Sequence, residues 1–387
     1  MIVAGLMSGT SADGVDVALV GIRGSQHRLT TQLKYYETKS YPPTLRKRVL
    51  AAAESGHVAE ICHLNAYLGE FFAKATRQAI ERANLNHQQV KLIGSHGQTL
   101  HHLPTPRREA GIGPIRSTLQ IGDPAIIAER TGITTIADFR SRDLAAGGEG
   151  APLAPYAHYL LFHHRSRSRL VVNLGGIANV TVLAAGAQLE SMQAFDTGPC
   201  NMLLDAVTTQ LSQGKQSMDR GGRLARRGKV DSMILRHLLS HPFLHAPPPK
   251  STGREEFGRR YVQSLLQRAH KRRLSLSDVL ATCCRFLALS IHQAQTWIAD
   301  DIHEVILGGG GIYNAALVGA LQETFSPIPV RIMDECGSHS KAFEAIAFAI
   351  LAYQCFHGVC ANVPAVTGAG HPVVLGSMTP GHLRKHR

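Results

Sequence analysis

Ile2-Val-Ala-Gly-Leu-Met-Ser8, then Gly9-Thr-Ser-Ala-Asp-Gly14, then Val15-Asp-Val-Ala-Leu-Val20 opens the chain. Two apolar, β-rich runs flank a turn of Gly, Thr, Ser and Asp, which predicts a β-hairpin. The same device returns after about 165 residues as Leu170-Val-Val-Asn-Leu174, Gly175-Gly176-Ile-Ala-Asn179 and Val180-Thr-Val-Leu183. Internal duplication of this kind predicts two similar halves with a cleft between them.

The segments between the hairpins fit that reading. Ile61, Leu64, Leu68, Phe71, Phe72 and Ala75 recur at helical spacing and predict a helix over 58–83, followed by a short strand at Val90 to Gly94. Val305-Ile-Leu307, Gly308-Gly-Gly-Gly311 and the apolar stretch to Leu321 predict strand, turn and helix. An amphipathic helix is expected from Ala342 to Phe356. Strands alternating with helices indicate an α/β architecture. With 387 residues, two domains are expected, drawn at 1–135 plus 360–387 and at 136–359.

Composition narrows the function. Apolar residues are 44% and charged residues 18%, which excludes wholesale disorder. The start has no basic n-region and breaks at Gly5, so neither a signal peptide nor a membrane span is expected, and a cytoplasmic location is. Seven scattered cysteines without a Cys-x-x-Cys pair argue against a disulfide framework or a zinc ribbon, and predict reduced, mostly buried thiols. The net charge of +13 raises the question of nucleic acid. Its distribution argues against it, because the basic groups are small and separated: Arg46 to Arg48, Arg107 and Arg108, Arg165 to Arg169, Arg223 to Lys229, His270 to Arg273 and Arg384 to Arg387. None is interleaved with aromatics, and the excess reads as solubility plus attraction for anionic small molecules.

Glycines at a strand end let a backbone approach phosphate closely, so Gly9 to Asp16 can grip a nucleotide or form an ordinary turn. Three such strand ends, at Gly9, Gly175 and Gly308, favour a shared nucleotide cleft. No P-loop is present, since Gly214-Lys215 and Gly228-Lys229 lack the upstream glycine and the following hydroxyl. Tyr313 stands where a dinucleotide fingerprint needs Gly or Ala. Phe195-Asp-Thr-Gly-Pro199 with Asn201 reads as strand, tight turn and helix. Asp196 is then either an ionised proton acceptor at a strand tip or a helix N-cap. Lys250-Ser-Thr-Gly-Arg254 is either an anion-contacting turn or part of a capping box, Thr252 to Glu255. The charged turn Asp138 to Asp143, followed by Gly147 to Gly150, reads as a hinge carrying ligand-contacting Arg and Asp. Glu344, amid Ala and Phe, needs a partner or a ligand.

These motifs together resemble one family, the anhydro-N-acetylmuramic acid kinases of bacterial cell-wall recycling. The resemblance runs from Gly5 to about Gly376 and includes Ser95-His-Gly-Gln-Thr99, Gln120-Ile-Gly-Asp123, Ala137-Asp-Phe-Arg140, Gly150-Ala-Pro-Leu153, Asn173-Leu-Gly-Gly-Ile-Ala-Asn179 and Glu344-Ala345. It implies the two-domain actin-like ATPase fold of sugar kinases, α/β with a duplicated core. It implies a reaction of ATP, water and 1,6-anhydro-N-acetylmuramic acid giving N-acetylmuramic acid 6-phosphate and ADP. Asp196 is implied as the base that activates water. Gly9, Thr10, Ser11, Ala12, Asp13, Gly14, Val15 and Asp16, with Gly175, Gly176, Gly308, Gly309, Gly310 and Asn314, are expected at ATP. His96, Gln98, Asn201 and Glu344 are expected at the sugar. Mg2+ should accompany ATP, with ligands unassigned. Cys200 stands where the family has Gly. Rival readings are a levoglucosan-type anhydrosugar kinase and an inactive sugar-phosphate sensor. The partner is a small molecule, not nucleic acid or membrane, and a homodimer stays open.

Overall fold

The computed structural model describes residues 1–382, so the basic group Arg384 to Arg387 lies outside the described residues. The chain forms two compact units, one of Met1–Leu161 with the chain from Ala342 onward, the other of Phe162–Lys341.

In the first unit β1 (Ile2–Ser8), β2 (Gly14–Ser25) and β3 (Arg28–Ser40) form an antiparallel meander. β4 (Val90–Glu109) lies parallel to β1, and β6 (Thr134–Ala137) lies parallel to β4. β5 (Gly113–Ile121) folds back antiparallel on the far part of β4. In the second unit β7 (Arg169–Leu174), β8 (Ile177–Leu183) and β9 (Gln193–Pro199) form another antiparallel meander. β10 (Glu304–Gly308) is parallel to β7, and β11 (Val330–Ile332) is parallel to β10. A final strand, β12 (Ser377–Thr379), returns to the first sheet beside β6. The orders β3-β2-β1-β4-β6 and β9-β8-β7-β10-β11 are therefore the same, meander first and parallel strands after. That repeated order is the duplication that the two hairpins imply.

Each sheet is covered by helices because its central strands are apolar on both faces. Ala4 and Leu6 of β1 pack with Leu64, Leu68 and Phe72 of the helix Val58–Arg82, whose bounds follow the predicted periodicity. The other face carries Gly5 and Gly94. A Cβ at Gly5 would lie 1.8 Å from the Ala345 carbonyl oxygen, and one at Gly94 would lie 2.3 Å from that of Phe348. Glycine at both positions lets the helix Phe343–Phe356 lie directly on β1 and β4. In the second unit the helix Leu276–Gln293 buries Cys283, Phe286, Leu287 and Ile291 in the largest core.

Several expectations are corrected. The helix Phe343–Phe356 is not amphipathic: Phe343 and every residue from Ala345 to Gln354 is buried. The short strand at Val90 is the first part of a 20-residue strand, because the β5 partner continues the ladder beyond Thr99. The units also divide elsewhere than at 135/136 and 359/360. β6 pairs with β4, and the helix Phe343–Phe356 packs on β1, so both belong to the first unit. All seven cysteines are free, but only Cys200, Cys283 and Cys284 are buried. Among the described residues, no helix is long and apolar enough to cross a membrane.

Candidate active site

In the first unit the functional side chains gather beside the β1–β2 turn. Ala12 N donates to Gly9 O, and Ala12 takes the left-handed conformation. A Cβ at Gly9 would meet nothing within 4 Å, so that edge of the turn is open to a ligand. The base of the turn is tied shut: Ser8 Oγ donates to Gln98 Oε1 at 2.7 Å, and Gln98 Nε2 donates to Gly9 O at 3.1 Å. Gln98, expected at the sugar, thus has both ends of its amide engaged in shaping the turn. Asp16 on β2 accepts from Tyr36 Oη and Thr38 Oγ1 of β3. Burial raises its carboxyl above the ordinary value, and these two bonds oppose the rise.

His96 on β4 is buried against the Phe348 ring, with centroids 4.6 Å apart. Its Nε2 accepts from Arg140 at 2.9 Å, and its Nδ1 lies 2.9 Å from Gly97 O. Nδ1 therefore carries the hydrogen. Burial, then the Arg140 charge, pushes the imidazole down to about 3. Arg140 also donates to Gly150 O at 2.7 Å. Burial lowers this guanidinium to about 10, and the Glu344 carboxylate opposes the fall. Glu344 opens the helix Phe343–Phe356. Solvent reaches it, yet the surrounding protein raises its carboxyl, the Asp16 charge adds to the rise, and Arg140 opposes it. His96 is thus occupied within the protein, whereas Glu344, flanked by an acid and a cation, remains for chemistry.

Beneath this cluster, Asp143 is a supporting residue that the sequence did not single out for this role. It is fully buried and accepts from Gly150 N at 2.8 Å, Asn362 Nδ2 at 2.9 Å and Thr367 Oγ1 at 2.8 Å. Its partners fix the carbonyl that holds Arg140. No sequence signal pairs Asp143 with residues more than 200 positions away.

In the second unit the glycine turns meet at the carboxyl ends of the parallel strands β7 and β10, the usual position for ligands in open α/β sheets. The Gly175–Gly176 turn accepts Asn201 N and Cys200 N on its carbonyls at 3.0 and 2.8 Å. Asn201 Nδ2 donates to Leu174 O at 2.8 Å, so this residue braces the turn from the first position of the helix Asn201–Leu211. Gly309 takes φ +78°, and a Cβ there would lie 2.5 Å from Asn173 Oδ1. Asn314 Oδ1 caps the helix Ala315–Phe325 by accepting from Ala316 N and Leu317 N. Cys200 takes φ −142° and ψ −112°, so it does not occupy the left-handed region that favours glycine.

Asp196 is neither at a strand tip nor an N-cap. It lies within β9, paired with Asn179, because the strand continues to Pro199. The segment Lys250–Thr252 runs beside it: Asp196 N donates to Lys250 O at 3.1 Å, Ser251 Oγ donates to Oδ2 at 3.1 Å, and Thr252 N donates to Oδ2 at 2.9 Å. Both side-chain bonds end on Oδ2, which leaves Oδ1 to accept a proton. Burial raises the carboxyl, opposed by the Thr252 and Ser251 bonds. Of the two readings of this turn, the capping box from Thr252 to Glu255 is not formed, since the short helix Arg254–Phe257 has Gly253 at its cap and the Thr252 amide serves Asp196. Lys250 turns to the Phe243 and Leu244 carbonyls.

A strand-borne carboxylate with one free oxygen and glycine turns at parallel strand ends suit phosphoryl transfer to a sugar. The model of the anhydro-N-acetylmuramic acid kinase family matches residues 1–381. The chain belongs to this family. A curated anhydro-N-acetylmuramic acid kinase of Caldanaerobacter subterraneus subsp. tengcongensis is 44% identical over 383 residues, covering 98% of this chain and 96% of its own. One of Bacillus cereus is 46% identical over 386 residues, covering 98% and 99%. Among solved structures, a ROK family glucokinase from Streptomyces griseus in complex with glucose and AMPPNP aligns over 92% of this chain and 100% of its own, at 11% identity and TM-score 0.38. Membership in the anhydro-N-acetylmuramic acid kinase family makes the chain an enzyme, a phosphotransferase, and its two like-ordered sheets form a duplicated α/β core.

Proposed function

We propose that this chain uses ATP and water to convert 1,6-anhydro-N-acetylmuramic acid into N-acetylmuramic acid 6-phosphate and ADP, a step of cell-wall recycling in the cytoplasm. The observation that carries this reading is the free Oδ1 of Asp196 beside an oxygen already held by two donors. In the proposed reaction, Asp196 Oδ1 accepts a proton from water, whose oxygen bonds to C1 of the sugar. The C1–O6 bond breaks, O6 bonds to the γ-phosphorus of ATP, and ADP leaves. Net, water supplies the C1 hydroxyl, and its proton passes from Asp196 to solvent.

Gly9 supports nucleotide contact, because its open side admits a phosphate to the backbone. Magnesium binds phosphate oxygens together with one or two carboxylates rather than an all-protein cage. Asp16 with Glu344, close enough for the first to raise the second, suits the role. The metal would neutralise phosphate charge during transfer. Arg140 beside Glu344 is the cation that suits an anionic sugar substituent.

ADP release measured with 1,6-anhydro-N-acetylmuramic acid and with levoglucosan in parallel tests the proposal. Turnover of the muramic sugar at least tenfold above levoglucosan is expected. Equal or reversed preference would favour the levoglucosan-type reading, and no turnover of either would favour the sensor.

A further inference from the structure

The segment that holds Asp196 is itself held at both ends. On its amino side Lys250 is half-buried, and its Nζ donates to Phe243 O at 3.1 Å and to Leu244 O at 3.2 Å, carbonyls of the short helix Pro242–His245. The same Nζ lies 4.9 Å from the centroid of the Phe243 ring, within range of a cation–π contact. On its carboxyl side Phe257 is fully buried, with the rings of His241, Tyr261 and Phe243 at 4.6, 5.0 and 5.7 Å. The helix Pro242–His245 rests against β9, since a Cβ at Gly198 would lie 3.4 Å from Leu244 Cδ2. The anchor of Lys250 and the strand of Asp196 thus share one support.

Between the two anchors lie the donors that the carboxylate uses. Ser251 and Thr252 directly follow Lys250, and the Ser251 hydroxyl and Thr252 amide both end on Asp196 Oδ2. Asp196 N in turn donates to Lys250 O at 3.1 Å, so the anchored residue also meets the main chain of β9 at the base. Releasing Nζ would strand two helix carbonyls and let the segment drift. A shift of about 1 Å at a catalytic group can cost about 10²-fold in rate. The charge of Lys250 works in the same direction as its bonds, because it opposes the rise that burial imposes on the Asp196 carboxyl. Glu255, of the same segment, adds to that rise, and Asn179, opposite on β8, is uncharged.

We propose that Lys250 is a positioning residue of the reaction, anchoring the Lys250–Thr252 segment so that its two donors hold Asp196 Oδ2 and leave Oδ1 for water. The inference rests on the reading of Asp196 as the base. Lys250→Met keeps an unbranched stem against Phe243 but loses the donors and the charge, whereas Lys250→Arg keeps both. In the kinase assay on the full chain, Lys250→Met should lower kcat by about tenfold or more and leave the KM for ATP within about twofold. Its acid limb should move to higher pH than in wild type, because Asp196 must be ionised and loses a charge that favours ionisation. Lys250→Arg should restore most of the rate and return the limb toward wild type. Ser251→Ala removes one donor at an exposed side chain without touching the anchor, which keeps the test open should the methionine variant fold poorly. It should move the limb in the same direction. A folded Lys250→Met with wild-type kcat, or with a lowered kcat and an unmoved limb, would overturn the proposal, as would an unmoved limb in Ser251→Ala. Asp196→Asn, assayed beside them, tells the two failures apart: if it stays active, the reading of the base fails, and if it is inactive while Lys250→Met is unaltered, only this inference fails.

Discussion

Replacing Gly5 by Ala should separate the helix Phe343–Phe356 from β1. The added Cβ would fall 1.8 Å from the Ala345 carbonyl oxygen and 2.8 Å from Ala349 N, and both are main-chain atoms of a helix that cannot yield by rotating a side chain. Ordinary carbon contacts begin near 3.5 Å, so the helix must retreat by about 1.5 Å or the strand must bend. Overpacking of a core costs about 1–3 kcal/mol, and a main-chain collision belongs at the upper end. Gly21→Ala on β2 is the control, because its Cβ would meet Lys34 Cε at 3.5 Å, an ordinary contact. Urea denaturation followed by circular dichroism should place Gly5→Ala about 2–3 kcal/mol below wild type, with Gly21→Ala within about 0.5 kcal/mol. Turnover should fall in the Gly5 variant even where it is folded, since Glu344 adjoins the displaced Ala345. Equal stability and activity in the two variants would refute the close seating of this helix.

Asp196→Asn should lower kcat by about 10²–10⁴ and leave the KM for ATP within a few-fold, because a positioned base contributes that much without touching the nucleotide; a variant above a tenth of wild-type kcat would contradict the role. The Asp196 carboxyl is raised from 3.8, and it must be ionised to accept a proton. Activity should therefore be full above its pKa and fall as pH drops through it, with an acid limb displaced upward from 3.8 that is missing from the residual rate of the Asn variant. Nitrogen NMR of His96 should show a neutral ring with hydrogen on Nδ1 throughout pH 5 to 8, since its pKa is near 3; titration near the ordinary value of 6.5 would contradict its burial against Arg140. Gly9→Val should raise the KM for ATP without loss of stability, because the new side chain enters open space beside the turn; an unchanged KM would remove this turn from the nucleotide site.

Local signals carried the parts of the molecule that were legible in its sequence. The hairpins at Gly9 and Gly175 announce themselves because strand pattern and turn residues are adjacent in the chain, and the helix Val58–Arg82 does so through its own periodicity. The environment of Asp196 was not legible. Nothing local says that β9 runs on to Pro199, or that an amide 56 positions away at Thr252 holds the carboxylate. The same limit hid the bonds from Arg140 to His96 and from Asn362 and Thr367 to Asp143, which sheet pairing creates between distant segments. The resemblance, rather than any local pattern, is what puts Gln98 and Asn201 at the sugar. In the folded chain they brace the turns themselves.

The fate of the water oxygen tests the account most directly. Run in ¹⁸O-water, the reaction should place label at C1 of the sugar product and leave the transferred phosphoryl group unlabelled, because in the proposed reaction Asp196 directs water to the anomeric carbon and O6 attacks phosphorus. The C1 hydroxyl of a hemiacetal exchanges with solvent, so the product must be analysed early against an exchange control. Label at C1 ahead of that control is the expected result. Label in phosphate, or label at C1 no faster than exchange, would contradict the water-activating role of Asp196.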